Sequence, residues 1–163
     1  MGEEKVRAAR GAIERDPDLL GDLVDQVLPL RLSGAQWVAM VPESAPARAE
    51  LGAALEERRL LAEAALAYRS AIGVASAGQA PLGWMLARLE LREKRPREAL
   101  AAIEVALTQA PDHPELHLVR AQALAALGDP TAVTAYRLAV LQAEVPAGRP
   151  ADQPFGVLPP RTQ

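Results

Sequence analysis

The 163-residue chain contains no cysteine, one phenylalanine, two tryptophans and two tyrosines. Without thiols, disulfide staples and thiolate metal sites are excluded. Aromatics make up 3 % of the residues although half are hydrophobic, so the apolar content is alanine and leucine. Those are the best helix formers, and they point to an all-α protein with closely packed helices. An excess of positive charge is also lacking: 18 Lys and Arg face 21 Asp and Glu, for a net charge of −3. A nucleic-acid binder would normally show a basic field, so none is expected as a partner. No apolar run is long enough to span a bilayer, which argues against membrane insertion. The N-terminus, MGEEKVRAAR, has no apolar stretch after its charges, as a secretion signal would. Cytoplasm is the expectation, unless the chain is a piece of a longer protein.

The usual marks of chemistry are missing as well. His113 and His117 are the only histidines. They stand four apart, a spacing that can serve a metal on a helix, but His113 lies before Pro114, outside the helix, and no third ligand is near. HExxH, Walker A and GxGxxG patterns do not occur. Ser33, Ser44, Ser70 and Ser76 have no histidine placed beside them by the sequence. No catalytic set, metal or cofactor is therefore expected, and the chain reads as a non-enzyme.

What the chain does have is a repeat. Ala64, Ala99 and Ala132 are 35 and 33 residues apart, as are Ala71, Ala106 and Ala139. Tyr68, Ile103 and Tyr136 keep the same spacing, and so do Pro46, Pro81 and Pro114. A period near 34 indicates stacked helical hairpins, an architecture that usually holds other proteins rather than performing chemistry. The spacing predicts helices over 46–58 and 61–75, 80–94 and 97–110, and 114–127 and 130–144. Pro46, Pro81 and Pro114 fall where first helices begin, where proline's missing N–H costs nothing. Pro96 and Pro130 are expected to open second helices, with Asp129 as N-cap. Gly52, Ala87 and Ala121 lie twelve, twelve and eleven residues before Ala64, Ala99 and Ala132. These small residues would let the two helices of each hairpin cross closely. Tyr68, Ile103 and Tyr136 would fill the gap toward the next hairpin.

The flanks are less regular. EEKVRAARGAIERDP has the look of a second helix of an earlier repeat. Residues 18–28 carry a helical stripe of Leu19, Leu20, Leu23, Val24, Val27 and Leu28, ended by Pro29. A short helix from about 34 to 40 has Ser33 as its cap. The expected organisation is a degenerate helical hairpin or cap over 1–45, three repeats at 46–79, 80–113 and 114–145, and a tail over 146–163. Five prolines between Pro146 and Gln163 predict that the tail is extended.

These residues resemble the tetratricopeptide repeat family over roughly 45–145. Leu51-Gly52, Ala64, Tyr68 and Ala71 stand as the family pattern wants in the first repeat. Leu86-Ala87, Ala99, Ala106 and Pro111 do so in the second, and Ala121, Gly128, Ala132, Tyr136 and Ala139 in the third. The chain departs from the pattern in its first helices. The family's early aromatic is Arg48, Gly83 or His117, and its later tyrosine is Leu55, Glu90 or Leu124. The resemblance implies a right-handed α-solenoid of antiparallel hairpins whose first helices line a concave, ligand-binding face. One subclass grips chaperone C-termini with a lysine and an asparagine there. Ala49 and Ala53 occupy those places, so such a receptor is not expected.

On helix 80–94, Trp84, Arg88 and Arg92 recur at i, i+4 and i+8 in a locally basic run, RLELREKRPR, partly offset by Glu90, Glu93 and Glu98. Arginine suits a carboxylate, and Trp84 would supply an apolar anchor. The resemblance places Glu56 and Gln122 on the same face. These five residues are the candidate contacts for a protein or peptide partner. Phe155 and Leu158, with Val157, are candidate anchors by which the tail would dock as an extended ligand. The competing expectation is a structural module that self-associates, or joins a larger multidomain or envelope-associated assembly, through apolar residues at 18–41 such as Leu23 and Trp37.

Overall fold

A computed structural model describes residues 3–75 and 79–144. The predicted tail, with Phe155, Val157 and Leu158, lies outside these residues. The described residues are helical, with no strand among them. They divide into two compact units, with the boundary between Ser76 and Ala77.

The first unit contains α1 (Glu3–Arg15), α2 (Leu20–Val27), α3 (Gly34–Ala39), α4 (Ala45–Glu57) and α5 (Leu61–Val74), with single 3₁₀ turns at Pro17–Leu19 and Leu28–Leu30. Ser44 caps α4 by accepting from the Ala47 N–H, which puts Pro46 in the first turn as expected. Ser33 caps α3 through a reciprocal capping box with Gln36. α4 and α5 form the close pair of this unit. At Gly52 an added Cβ would stand 2.7 Å from Cε1 of Tyr68. The buried tyrosine ring therefore packs against the glycine of its own hairpin. α3 packs on α5 and α2 on α4. Arg10 on α1 donates from Nε and Nη2 to the Ala39 carbonyl at 3.1 and 2.7 Å, satisfying the end of α3. Arg58 ties α2 to α4: it holds Asp25 through Nε and Nη2 at 2.5 and 2.8 Å and also donates to the carbonyls of Gly21 and Ala54.

The second unit contains α6 (Gln79–Arg92), α7 (Pro96–Gln109), α8 (Pro114–Ala126) and α9 (Ala132–Glu144). Pro96 and Pro114 are first helical residues, as the spacing predicts, and Pro81 sits in the first turn of α6. Pro130 does not open a helix. Asp129 accepts from the N–H and hydroxyl of Thr131 at 2.8 and 2.6 Å, forming a turn, and α9 starts only at Ala132. Within the unit α6 pairs with α7 and α8 with α9, while α8 packs across α7. Ala87, Ala99, Ile103, Ala106, Leu116 and Ala123 are fully buried in one cluster. Ala121, Leu124, Ala132 and Ala135 form a second.

All three helix pairs share a turn that residue types only partly announce. Arg59, Lys94 and Gly128 have φ of 61°, 58° and 72°. The residue after each closes the same bond: Leu60 N–H to Leu55 O, Arg95 N–H to Glu90 O and Asp129 N–H to Leu124 O, at 3.0, 2.8 and 2.9 Å. This left-handed C-cap recurs with the period of the alanines.

Candidate functional site

The departures from the family pattern in the first helices each receive a distinct filling. Where an aromatic would stand, Arg48 instead reaches from α4 to the Ser70 carbonyl on α5 at 3.2 Å. At Gly83 the partner helix comes in so far that an added Cβ would lie 2.8 Å from the Ala106 Cβ and 3.0 Å from the Ala102 carbonyl oxygen. His117 is buried, and its Nε2 lies 2.5 Å from the Pro111 carbonyl oxygen, the position of a donated N–H. One ring nitrogen of His117 is therefore committed to backbone. No group of three or more metal-ligating side chains occurs among the described residues.

At the later family position, Leu55 and Leu124 are buried as a tyrosine ring would be, and Glu90 is buried too. Its Oε2 lies 2.6 Å from Nε of Arg95, off the N–H direction. Arg95 occupies the place of Leu60 in the first unit, so an ion pair replaces an apolar pair.

The predicted stripe on α6 is built as follows. The guanidinium carbon of Arg88 lies 4.6 Å from the Trp84 ring centre, a cation–π stack, with Arg88 exposed and Trp84 half-buried. The Trp84 side chain also packs against the core cluster shared by α6, α7 and α8. Arg92 is exposed one turn further along, and Gln122 is exposed on α8 of the same unit. Glu56 belongs to the first unit, where its carboxylate lies 3.5 Å from the Tyr68 hydroxyl.

The apolar residues assigned to self-association separate into two sets. Trp37 is 1 % exposed, and Leu20, Val24, Met40 and Val41 are also buried, which removes Trp37 as a contact for a second copy. Leu19, Leu28 and Leu30 are exposed. Tyr136, expected to fill a gap, is 38 % exposed on α9. It faces a cavity of about 300 Å³ between α8 and α9, which the repeat pattern alone did not suggest, lined by Leu118, Tyr136, Ala139, Val140 and Ala143 with Glu115 at its edge. The comparison that reveals it is with the preceding hairpin, where Ile103, the counterpart of Tyr136, is buried.

No helix among the described residues is long and apolar enough to cross a membrane. Residues 80–123, which comprise α6, α7 and most of α8, match the sequence model of the tetratricopeptide repeat. None of the curated proteins matches the chain. Two solved structures, titled "Crystal structure of MamA" and "Crystal structure of MamA protein", share the fold at TM-scores of 0.61. Each is 21 % identical over 85 % of this chain, covering 86 % and 81 % of the respective structure. A tetratricopeptide repeat is thus matched by sequence over residues 80–123, within a fold of all-α hairpins that the chain shares with these structures.

Proposed function

We propose that the chain is a non-catalytic scaffold that binds a protein or peptide segment through the α6 face, with Trp84, Arg88 and Arg92 as principal contacts and Gln122 beside them. The stack of Arg88 on Trp84 carries this reading. An arginine held over an indole has its guanidinium fixed in one plane, which lowers the ordering cost of gripping a carboxylate. Trp84 offers its uncovered part as an apolar wall, and Arg92 adds a second cation one turn away. The favoured ligand is a segment with an apolar side chain next to Asp, Glu or a C-terminal carboxylate. Glu56 is left out of this site, because it belongs to the other unit.

The test is capture of partners by the immobilised full chain, compared with the Arg88→Glu/Arg92→Glu variant. Both residues are exposed, so the fold should survive, as circular dichroism would verify. Loss of the captured partners, with binding of an acidic peptide series weakened tenfold or more, supports the site. A variant that keeps every partner removes it. Self-association is the second reading, resting on exposed Leu19, Leu28 and Leu30. It requires a size in solution that rises with concentration and reverts on Leu28→Glu/Leu30→Glu.

A further inference from the structure

We infer that the apolar groove between α8 and α9 is the seat of the chain's own tail, with Phe155, Val157 and Leu158 as the inserted side chains. This reading is independent of the α6 site.

The repeat itself identifies the groove as a seat. On the α6/α7 pair, Trp84, Ile103, Ala106, Leu107 and Ala110 belong to one apolar cluster with Leu116, Val119 and Ala123 of α8. Their counterparts one period later are Leu118, Tyr136, Ala139, Val140 and Ala143, the residues that line the groove. The surface that α8 covers on one hairpin is thus reproduced on the next without a described helix over it. Ile103 is 0 % exposed, whereas Tyr136 is 38 % and Val140 57 % exposed.

The occupant is set by where the chain goes. Ala143 lines the groove and Glu144 is the last described residue, so residues 145–163 are tethered by their covalent link beside it. Phe155 follows Glu144 by eleven residue steps. Fully extended they reach about 36 Å, against roughly 10 Å of helix between Ala143 and Tyr136, so the reach is ample. The tethering also gives a local concentration on the order of millimolar. Proline at positions 146, 150, 154, 159 and 160 disfavours a covering helix like α8 and suits an extended segment. Proline-rich segments dock in aromatic-lined grooves because little conformational freedom is left to lose, and Tyr136 supplies the aromatic wall.

The charges agree. Oε2 of Glu115, at the groove's edge, is buried and accepts no hydrogen bond among the described residues. The tail carries a guanidinium on each side of its apolar trio, Arg149 and Arg161. A tail seated in the groove brings one of them to that carboxylate.

The test replaces Phe155 in the full chain with the photocrosslinker p-benzoylphenylalanine and irradiates an equimolar mixture of ¹⁴N- and ¹⁵N-labelled protein. The expected products are crosslinks within one isotopic species onto Leu118, Tyr136 or Val140. Mixed-isotope crosslinks would instead assign the groove to a second copy, and the absence of crosslinks to α8 or α9 would also overturn the proposal. A parallel measurement uses hydrogen exchange on Phe155→Asp/Leu158→Asp, changes outside the described helices. α9 amides should exchange tenfold faster or more while α6 amides stay unchanged; unaltered α9 exchange contradicts the inference.

Discussion

Replacing Gly83 by alanine sets two opposing effects against each other within one methyl group. In a helix interior, alanine is favoured over glycine by about 0.8–1 kcal/mol. At Gly83, however, the new Cβ would stand 2.8 Å from the Ala106 Cβ and 3.0 Å from the Ala102 carbonyl oxygen. Neither neighbour is the far end of a flexible side chain, so α6 and α7 must separate by several tenths of an ångström. Overpacking of this kind costs about 1–3 kcal/mol, and it opens contacts along the buried Ala99–Ile103–Ala106 seam. The net expectation is destabilisation by up to about 2 kcal/mol, a fall in Tm of up to roughly 8 °C for a chain of this size. Gly11 is the control: it lies within α1 with nothing inside 4 Å of its added Cβ. Gly11→Ala should therefore be neutral or stabilising by up to about 1 kcal/mol. Urea unfolding followed by circular dichroism reads both. A cycle with Ala106→Gly should show about 1 kcal/mol of coupling to Gly83→Ala. If Gly83→Ala stabilises as much as Gly11→Ala, close approach of α6 and α7 is refuted.

Three other outcomes are expected from local geometry. Lys94 adopts φ 58° with a side chain that disfavours it, so Lys94→Gly should raise stability by about 1 kcal/mol, and Gly128→Ala should lower it similarly in the same unfolding assay. Hydrogen bonding from Arg58, helped by its charge and opposed by desolvation, holds the Asp25 carboxyl below its ordinary range. Its stabilising contribution is present above the unfolded-state value of about 3.9 and is lost as pH falls through the lower folded value. The difference in urea midpoint between wild type and Asp25→Asn should accordingly shrink as the pH drops below about 4. Breaking the Glu90 pair by Arg95→Leu should cost about 1–3 kcal/mol, because Glu90 is fully buried while Arg95 is about a third exposed. Adding Glu90→Leu, which recreates the Leu55/Leu60 arrangement, should recover most of that loss in thermal unfolding.

The parts of the fold that a sequence can announce are those in which one residue type has one physical reason. Pro96 and Pro114 mark helix starts because only there does a missing N–H cost nothing. Ser33 marks another because its hydroxyl serves an orphan donor. Ala64 and Ala99 mark the seams because nothing larger fits. Pro130 failed as such a mark because Asp129 bonds Thr131, which places the proline in a turn. The left-handed caps at Arg59 and Lys94 were hidden, since neither residue favours that conformation and tertiary packing imposes it. Glu90 gave no warning of burial because its partner, Arg95, lies beyond the helix end. At the candidate site, the i, i+4 spacing put Trp84 and Arg88 on one stripe, but their stack on each other was not foreseen. The α8/α9 groove was harder to foresee, because its residues repeat a pattern that is covered on the preceding hairpin. Whether the pattern is covered depends on the neighbouring segment, which the groove residues themselves do not encode.

The architecture rests on helix pairs whose backbones touch at glycine or alanine. The most direct measurement is a nuclear Overhauser spectrum of the folded chain with methyl and α-proton assignments. Strong cross-peaks are predicted between the Gly83 α-protons and the Ala106 methyl, together with an upfield ring-current shift of the Gly52 α-protons under Tyr68. A folded chain lacking both the cross-peaks and the shift would contradict it.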